Sequence, residues 1–327
     1  MALSSDEFTF FNETESSQDD FPLSALECYC AAAIIIFFCI SLSGNSFLMW
    51  VIRKEQAWKI TPDILLLQLT ISNLCITVTL PFEACNLLRS WIFGEWVCGF
   101  MTAVYYLGLY ASILILTVMS LHYYFSFVQV SRLCAQVSRK CGVLITSILV
   151  WLVCAAASIK QFMYTEVIFE VQLCLFEWTQ ARVYTEFCLF FLIPFLITTF
   201  CHVHMWIMMK QGKINRQQLP SKVILGITFG TFLCLTPLHV CDSVISFIIW
   251  GFVKHTHAVM EALHLSWFIL YPLSQFCCCL SPLFHIIGAQ SFRRYLSMLR
   301  NPLSQSRDVS NDGSSVAFIS LKNTEEI

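Results

Sequence analysis

Residues 31–54 read AAAIIIFFCISLSGNSFLMWVIRK: twenty-two residues without a charge, then Arg53-Lys54. A helix needs about 20 apolar residues to cross the hydrocarbon core of a bilayer, so this stretch is long enough to span one. Outward from it the same pattern recurs at 63–88, 99–129, 140–162, 185–210, 221–251 and 258–287. The 327 residues are 57% hydrophobic and 12% charged, with a mean hydropathy of +0.70. One soluble core cannot hide that much apolar surface, so lipid must solvate much of it. The expected fold is all-α, a seven-transmembrane helix bundle over residues 31–287. The first segment is expected to remain as a helix rather than be removed as a leader, because about 30 polar and acidic residues precede it and no basic stretch leads it.

Charge orients the bundle. Arg53, Lys54 and Lys59 follow the first segment, and Arg132, Arg139 and Lys140 the third. Lys210, Lys213, Arg216 and Lys222 follow the fifth, and Arg293, Arg294, Arg300, Arg307 and Lys322 the seventh. Only Arg89, Lys160, Arg182 and Lys254 fall toward the other side. Basic loops stay in the cytosol, so the amino terminus is expected outside and the carboxyl terminus inside, in the plasma membrane. Residues 1–30 form an expected extracellular tail whose Asp6, Glu7, Glu13, Glu15, Asp19, Asp20 and Glu27 meet no Lys or Arg before Arg53. Such a tail either attracts a basic ligand or is a solvated leader. Asn12-Glu13-Thr14 is a glycosylation acceptor on the appropriate side. Within 288–300, Phe292, Tyr295, Leu296 and Leu299 share one helical face and Arg293, Arg294 and Arg300 the other, as in an amphipathic helix on the membrane surface. Residues 301–327 are polar and serine-rich, expected to be disordered and open to phosphorylation, which would create an arrestin-type anionic determinant.

Most of the 17 cysteines lie within apolar segments, where the thiol behaves as a small hydrophobe. Cys98, at the outer start of the third segment, and Cys174, between the fourth and fifth, both face the oxidising side and are expected to bridge. Cys28 and Cys30 are also outside, and whether either is paired is open, since the outer loop between the sixth and seventh segments has no cysteine. Cys277-Cys278-Cys279 lacks acidic or histidine neighbours in register, so no metal is expected there, and no cofactor elsewhere.

Seven helices with a disulfide from the third to the second outer loop resemble a rhodopsin-like G protein-coupled receptor. Gly44-Asn45, Trp151, Pro194, Cys234-Leu235-Thr236-Pro237 and Ser281-Pro282-Leu283-Phe284-His285 fall at that family's landmark positions. Within it, the chain resembles the chemokine receptors through Thr79-Leu80-Pro81-Phe82, Trp91-Ile92-Phe93-Gly94 ahead of Cys98, Tyr105 to Tyr110, and the cysteine-rich Phe276 to Pro282 stretch. Another peptide receptor of the same superfamily is the alternative. The resemblance implies a chemokine or other basic peptide as ligand and an arrestin or a G protein as partner, beside membrane lipid. Pro81, Pro194, Pro237 and Pro282 bend their helices and are expected to open an outward cavity. Glu83, Tyr105, Tyr106, Asp242 and Tyr271 are its candidate lining; Glu83 and Asp242 must face protein, water or the headgroup boundary. Family members usually carry Trp where Glu83 stands and Glu where Tyr271 stands.

The signalling positions depart from the resemblance. Where the family has Asp-Arg-Tyr, this chain has His122-Tyr123-Tyr124, and Tyr123 lacks both the charge and the five donors of arginine. His202 and His285 replace tyrosines, Asn73 replaces an aspartate of the family's sodium site, Ser281 an asparagine and Leu235 a tryptophan, while Ser112 persists. Together they imply weak or absent G protein coupling, in a scavenging or presenting receptor, unless Tyr123 and the histidines form a substitute network. His122, His202 and His285 could also gather as a pH-sensitive lock, or simply be neutral and hydrogen-bonded in the bundle. A transporter would show an inverted repeat or paired broken helices, and none is evident. An intramembrane hydrolase would need a paired Asp, Ser with His, or His-Glu-x-x-His; His202-Val203-His204 places its rings on different faces, so no enzyme is expected. Topology and charge exclude nucleic acid.

Overall fold

The computed structural model describes residues 20–54, 61–128, 135–168, 173–176, 180–212, 222–252 and 256–288. Helices α1 (Asp20–Lys54), α2 (Thr61–Leu87), α3 (Gly94–Val128) and α4 (Ala135–Met163) come first. An antiparallel hairpin follows, β1 (Thr165–Ile168) and β2 (Leu173–Phe176), with Val167 opposite Cys174. Then come α5 (Gln180–Phe187), a π turn at Cys188–Leu192, α6 (Ile193–Lys210), α7 (Lys222–Ile249), α8 (His257–Gln275) and α9 (Cys277–Gly288). Six spans are long and apolar enough to cross a membrane. The fifth runs from α5 through the π turn into α6, and α8 with α9 make a seventh bent by 43°.

The seven apolar segments are therefore the seven spans, with three differences. Helix α1 begins at Asp20 rather than Ala31, because Pro22 sits in its first turn, where proline is tolerated, and no breaker follows until Gly44. The seventh segment is two helices. A short hairpin joins the all-α bundle. Asn12, the acidic residues up to Asp19, the face expected at 288–300 and the serine-rich tail lie outside the described residues.

Polarity is reversed relative to a soluble protein. Ile148, Leu152, Phe229 and Leu233 are 60% exposed or more on the bundle's outside, whereas Ser41, Asn45, Asn73 and Thr77 are buried within. Hydrocarbon satisfies the former; only internal hydrogen bonds can satisfy the latter.

Two prolines explain how the first span holds the seventh. Pro272 has no N–H for the carbonyl of Phe268, and Pro282 none for that of Cys278. Both orphaned acceptors are taken by α1: the Cys30 thiol donates to Phe268 O at 2.8 Å, and Asn45 Nδ2 donates to Cys278 O at 3.0 Å, beside Ser41 Oγ at 3.3 Å. The approach is close because residue 44 is glycine, where a Cβ would lie 2.7 Å from Pro282 Cβ. Cys279 returns a bond, its thiol reaching Phe37 O at 3.5 Å. Between α2 and α3 Gly108 plays the same part, since a Cβ there would meet Ser72 O at 2.7 Å.

Candidate functional site

One end of the bundle is organised by the Cys98–Cys174 disulfide, which ties the hairpin to the start of α3. Asn86 of α2 clamps the same strand: its Nδ2 donates to Cys174 O at 3.0 Å and its Oδ1 accepts from Cys174 N at 2.8 Å. Trp91 is buried against Phe82 and Phe93, and its indole N–H donates to Gly94 O at 3.1 Å. Helix α2 stops in a turn with Arg89 in the left-handed region, and that side chain reaches Glu27 of α1 at 3.4 Å. Cys28 and Cys30 are free thiols, Cys30 being the donor to Phe268.

Below this cover the candidate residues form a layer. Trp267, Tyr271 and Gln275 are spaced by four along α8 and so share a face. Tyr271 donates its hydroxyl to Glu83 Oε2 of α2 at 3.1 Å. Trp267 stacks on Tyr271 at 4.6 Å, and its indole faces Asp242 of α7. Asp242 is 7% exposed, with Oδ1 unbonded. Gln275 donates to Tyr105 Oη of α3 at 2.9 Å. Tyr105 meets Tyr106 edge-on, Tyr106 leans on Tyr110, and Tyr110 stacks on Phe190 in the π turn at 3.9 Å. Gln161 of α4 donates to Tyr110 Oη at 3.0 Å and to the Glu186 carboxylate of α5. Five spans thus meet through bonded or stacked side chains, with Asp242 of α7 alongside.

At the opposite end Tyr123 is 4% exposed and packed in the core with Leu66, Leu69 and Met119. It faces Asp63 in the first turn of α2, a fully buried carboxylate with neither oxygen hydrogen-bonded. His122 sets its ring edge-on to Tyr123. Ser120 Oγ gives its only hydrogen to Leu116 O, so the contact at 3.2 Å has His202 donating from Nε2. His285 donates from Nδ1 to Ser281 O at 2.7 Å. In the bundle centre Asn73 reaches Asn45 Oδ1 at 3.5 Å, Ser112 bonds Leu109 O, Leu235 is buried in the core, and Ser281 Oγ is buried without a bond.

Residues 44–302 match the family model described as 7 transmembrane receptor (rhodopsin family). The chain belongs to that family. It is a family of receptors, not enzymes. This receptor is 26% identical over 280 residues to the C-C chemokine receptor type 8 of Macaca mulatta, covering 81% of this chain and 78% of that one. It is 29% identical over 270 residues to the human CX3C chemokine receptor 1, covering 80% and 75%. With the type-1 angiotensin II receptor of Oryctolagus cuniculus it shares 25% identity over 334 residues, covering 95% and 92%. The structure brings Glu83, Tyr105, Tyr106 and Tyr271 of the receptor into one layer and sets Asp242 beside it. His122, His202 and His285 each engage a different neighbour. Trp267, Gln275, Gln161, Glu186, Asn86 and Asp63 were not singled out from the sequence. The first two were within reach, because each lies one turn from Tyr271; Gln161, Glu186 and Asn86 bond across chain distances that no local pattern encodes, and Asp63 is set apart only by its burial.

Proposed function

We propose that this receptor sits in the plasma membrane with its disulfide end and amino terminus outside, binds a basic extracellular peptide of chemokine type, and couples weakly or not at all to G protein, serving to scavenge or present its ligand. The ligand-binding residues in this reading are Glu83, Tyr105, Tyr106, Asp242 and Tyr271. Carboxylates on α2 and α7, backed by aromatic donors from α8, suit a cationic segment entering at that end. Similarity to chemokine receptors supports the ligand class. The observation that carries the coupling half is Tyr123, a buried neutral ring where an arginine would meet a G protein.

The test combines labelled-chemokine binding across a panel with nucleotide exchange on the same membranes. Binding without ligand-dependent exchange is expected; robust exchange above that of empty membranes overturns the coupling half. Glu83→Gln is expected to weaken binding about tenfold, equivalent to about 1.4 kcal/mol. A signalling receptor for a different peptide is the second reading, favoured by the similarity to the angiotensin receptor over 95% of the chain. Saturable binding of a basic non-chemokine peptide, accompanied by exchange, would select it.

A further inference from the structure

Among the described residues, the end of the bundle away from the disulfide holds a carboxylate without a hydrogen-bond partner. Asp63 has no exposed surface, and neither of its oxygens accepts a hydrogen bond. A buried carboxylate in that condition is costly, and it takes up a proton unless a cation or several donors reach it. Its neighbour Tyr123 is almost as deeply buried and comes from the facing helix α3. His122 sets its ring edge-on to Tyr123, with 5.8 Å between centroids. Leu66 and Leu69 of α2, Met119 of α3, Met205 of α6 and Ile224 of α7 belong to the apolar core that includes Tyr123. The first turn of α2 adds the partial positive charge of a helix amino end, which steadies an anion without pairing it.

We propose that Asp63, closed over by Tyr123, is an acceptor site for a guanidinium group. A planar cation with five N–H donors matches both free oxygens at once, which an ammonium does less well. Tyr123 is the movable part: rotation of its ring away from Asp63 opens a slot where an arginine side chain fits, the carboxylate at its end. The polarity of this end is thereby reversed. Instead of extending an arginine to a partner, the receptor receives one. The guanidinium comes from an arginine of a partner protein.

The test is thermal unfolding of the full-length receptor in detergent, followed with a thiol-reactive fluorophore that reports exposure of the buried cysteines. Methylguanidinium at tens of millimolar is the probe, and tetramethylammonium at equal concentration is the control. A rise in Tm of about 2–4 °C specific to methylguanidinium is expected for the wild type. Asp63→Asn should abolish it. Tyr123→Arg should raise Tm without the probe, remove the probe's effect, and lose its gain when combined with Asp63→Asn. The proposal is overturned if methylguanidinium matches tetramethylammonium in the wild type. An equal response in Asp63→Asn overturns it too. Should Asp63→Asn fail to accumulate, Tyr123→Arg decides: no gain in Tm and an undiminished probe response would reject the site.

Discussion

Cys30 and Asn45 show how much can depend on a single donor. Each supplies the hydrogen that a proline four residues along denies to a carbonyl of the seventh span. Cys30→Val keeps the volume and removes the donor; it is expected to destabilise by about 1–2 kcal/mol, whereas Cys30→Ser, which still donates, costs less. Asn45→Ala leaves Cys278 O only the longer contact with Ser41 Oγ and also removes the acceptor for Asn73, so a loss of about 1–3 kcal/mol in thermal unfolding is expected. Gly108→Val drives a methyl into the Ser72 carbonyl and should lower Tm and surface expression, overpacking of this kind costing about 1–3 kcal/mol. Gly44-Asn45 and Pro282 were visible as landmarks in the sequence. Their mutual contact was not, because Asn45 and Cys278 are 233 positions apart and nothing local marks them as partners. Glu83 was legible as an anomalous carboxylate in an apolar segment, but its donor, Tyr271, lies 188 positions away.

Among the elements, the hairpin is the one least evident from the chain. Its strands are four residues each, too short for an alternating pattern to stand out, and its position comes from Cys98 and from Asn86 rather than from its own propensity. Asn86→Ala removes both bonds to the Cys174 backbone while leaving the disulfide. Expression is expected to persist, with the hairpin's amides exchanging hydrogen roughly tenfold faster or more, since two lost bonds amount to about 1–3 kcal/mol. The bend in the seventh span was hidden for a different reason. Apolar residues run through Phe276 without a charge, and hydropathy reports length, not direction. Pro282 was singled out in the sequence and Pro272 was not, and the break falls at Phe276 between them. The π turn in the fifth span likewise sits ahead of Pro194 and turns Phe190 onto Tyr110.

For the whole molecule, hydropathy was enough to give seven spans, because the bilayer sets one length for all of them and every backbone bond must close within its own helix. The outward face of α4 illustrates the rule: Ile148, Leu152 and Ile159 are each 60% exposed or more. Leu152→Arg is expected to reduce the membrane-integrated fraction in a glycosylation-reporter insertion assay by about 2.5–3.5 kcal/mol in apparent insertion energy, the cost of that charge at mid-helix. The two ends of the bundle were legible to different degrees. The layer around Tyr271 drew on aromatic and acidic residues that stand out in apolar segments. Asp63 did not stand out, because a carboxylate at the start of a helix is commonplace in sequence, and only its burial makes it unusual. The stitching of α1 to the bent seventh span also bears on biogenesis. The span made before the other six carries the donors that the seventh needs, so a nascent chain halted ahead of Phe268 leaves Cys30 and Asn45 without the acceptors that complete the ring.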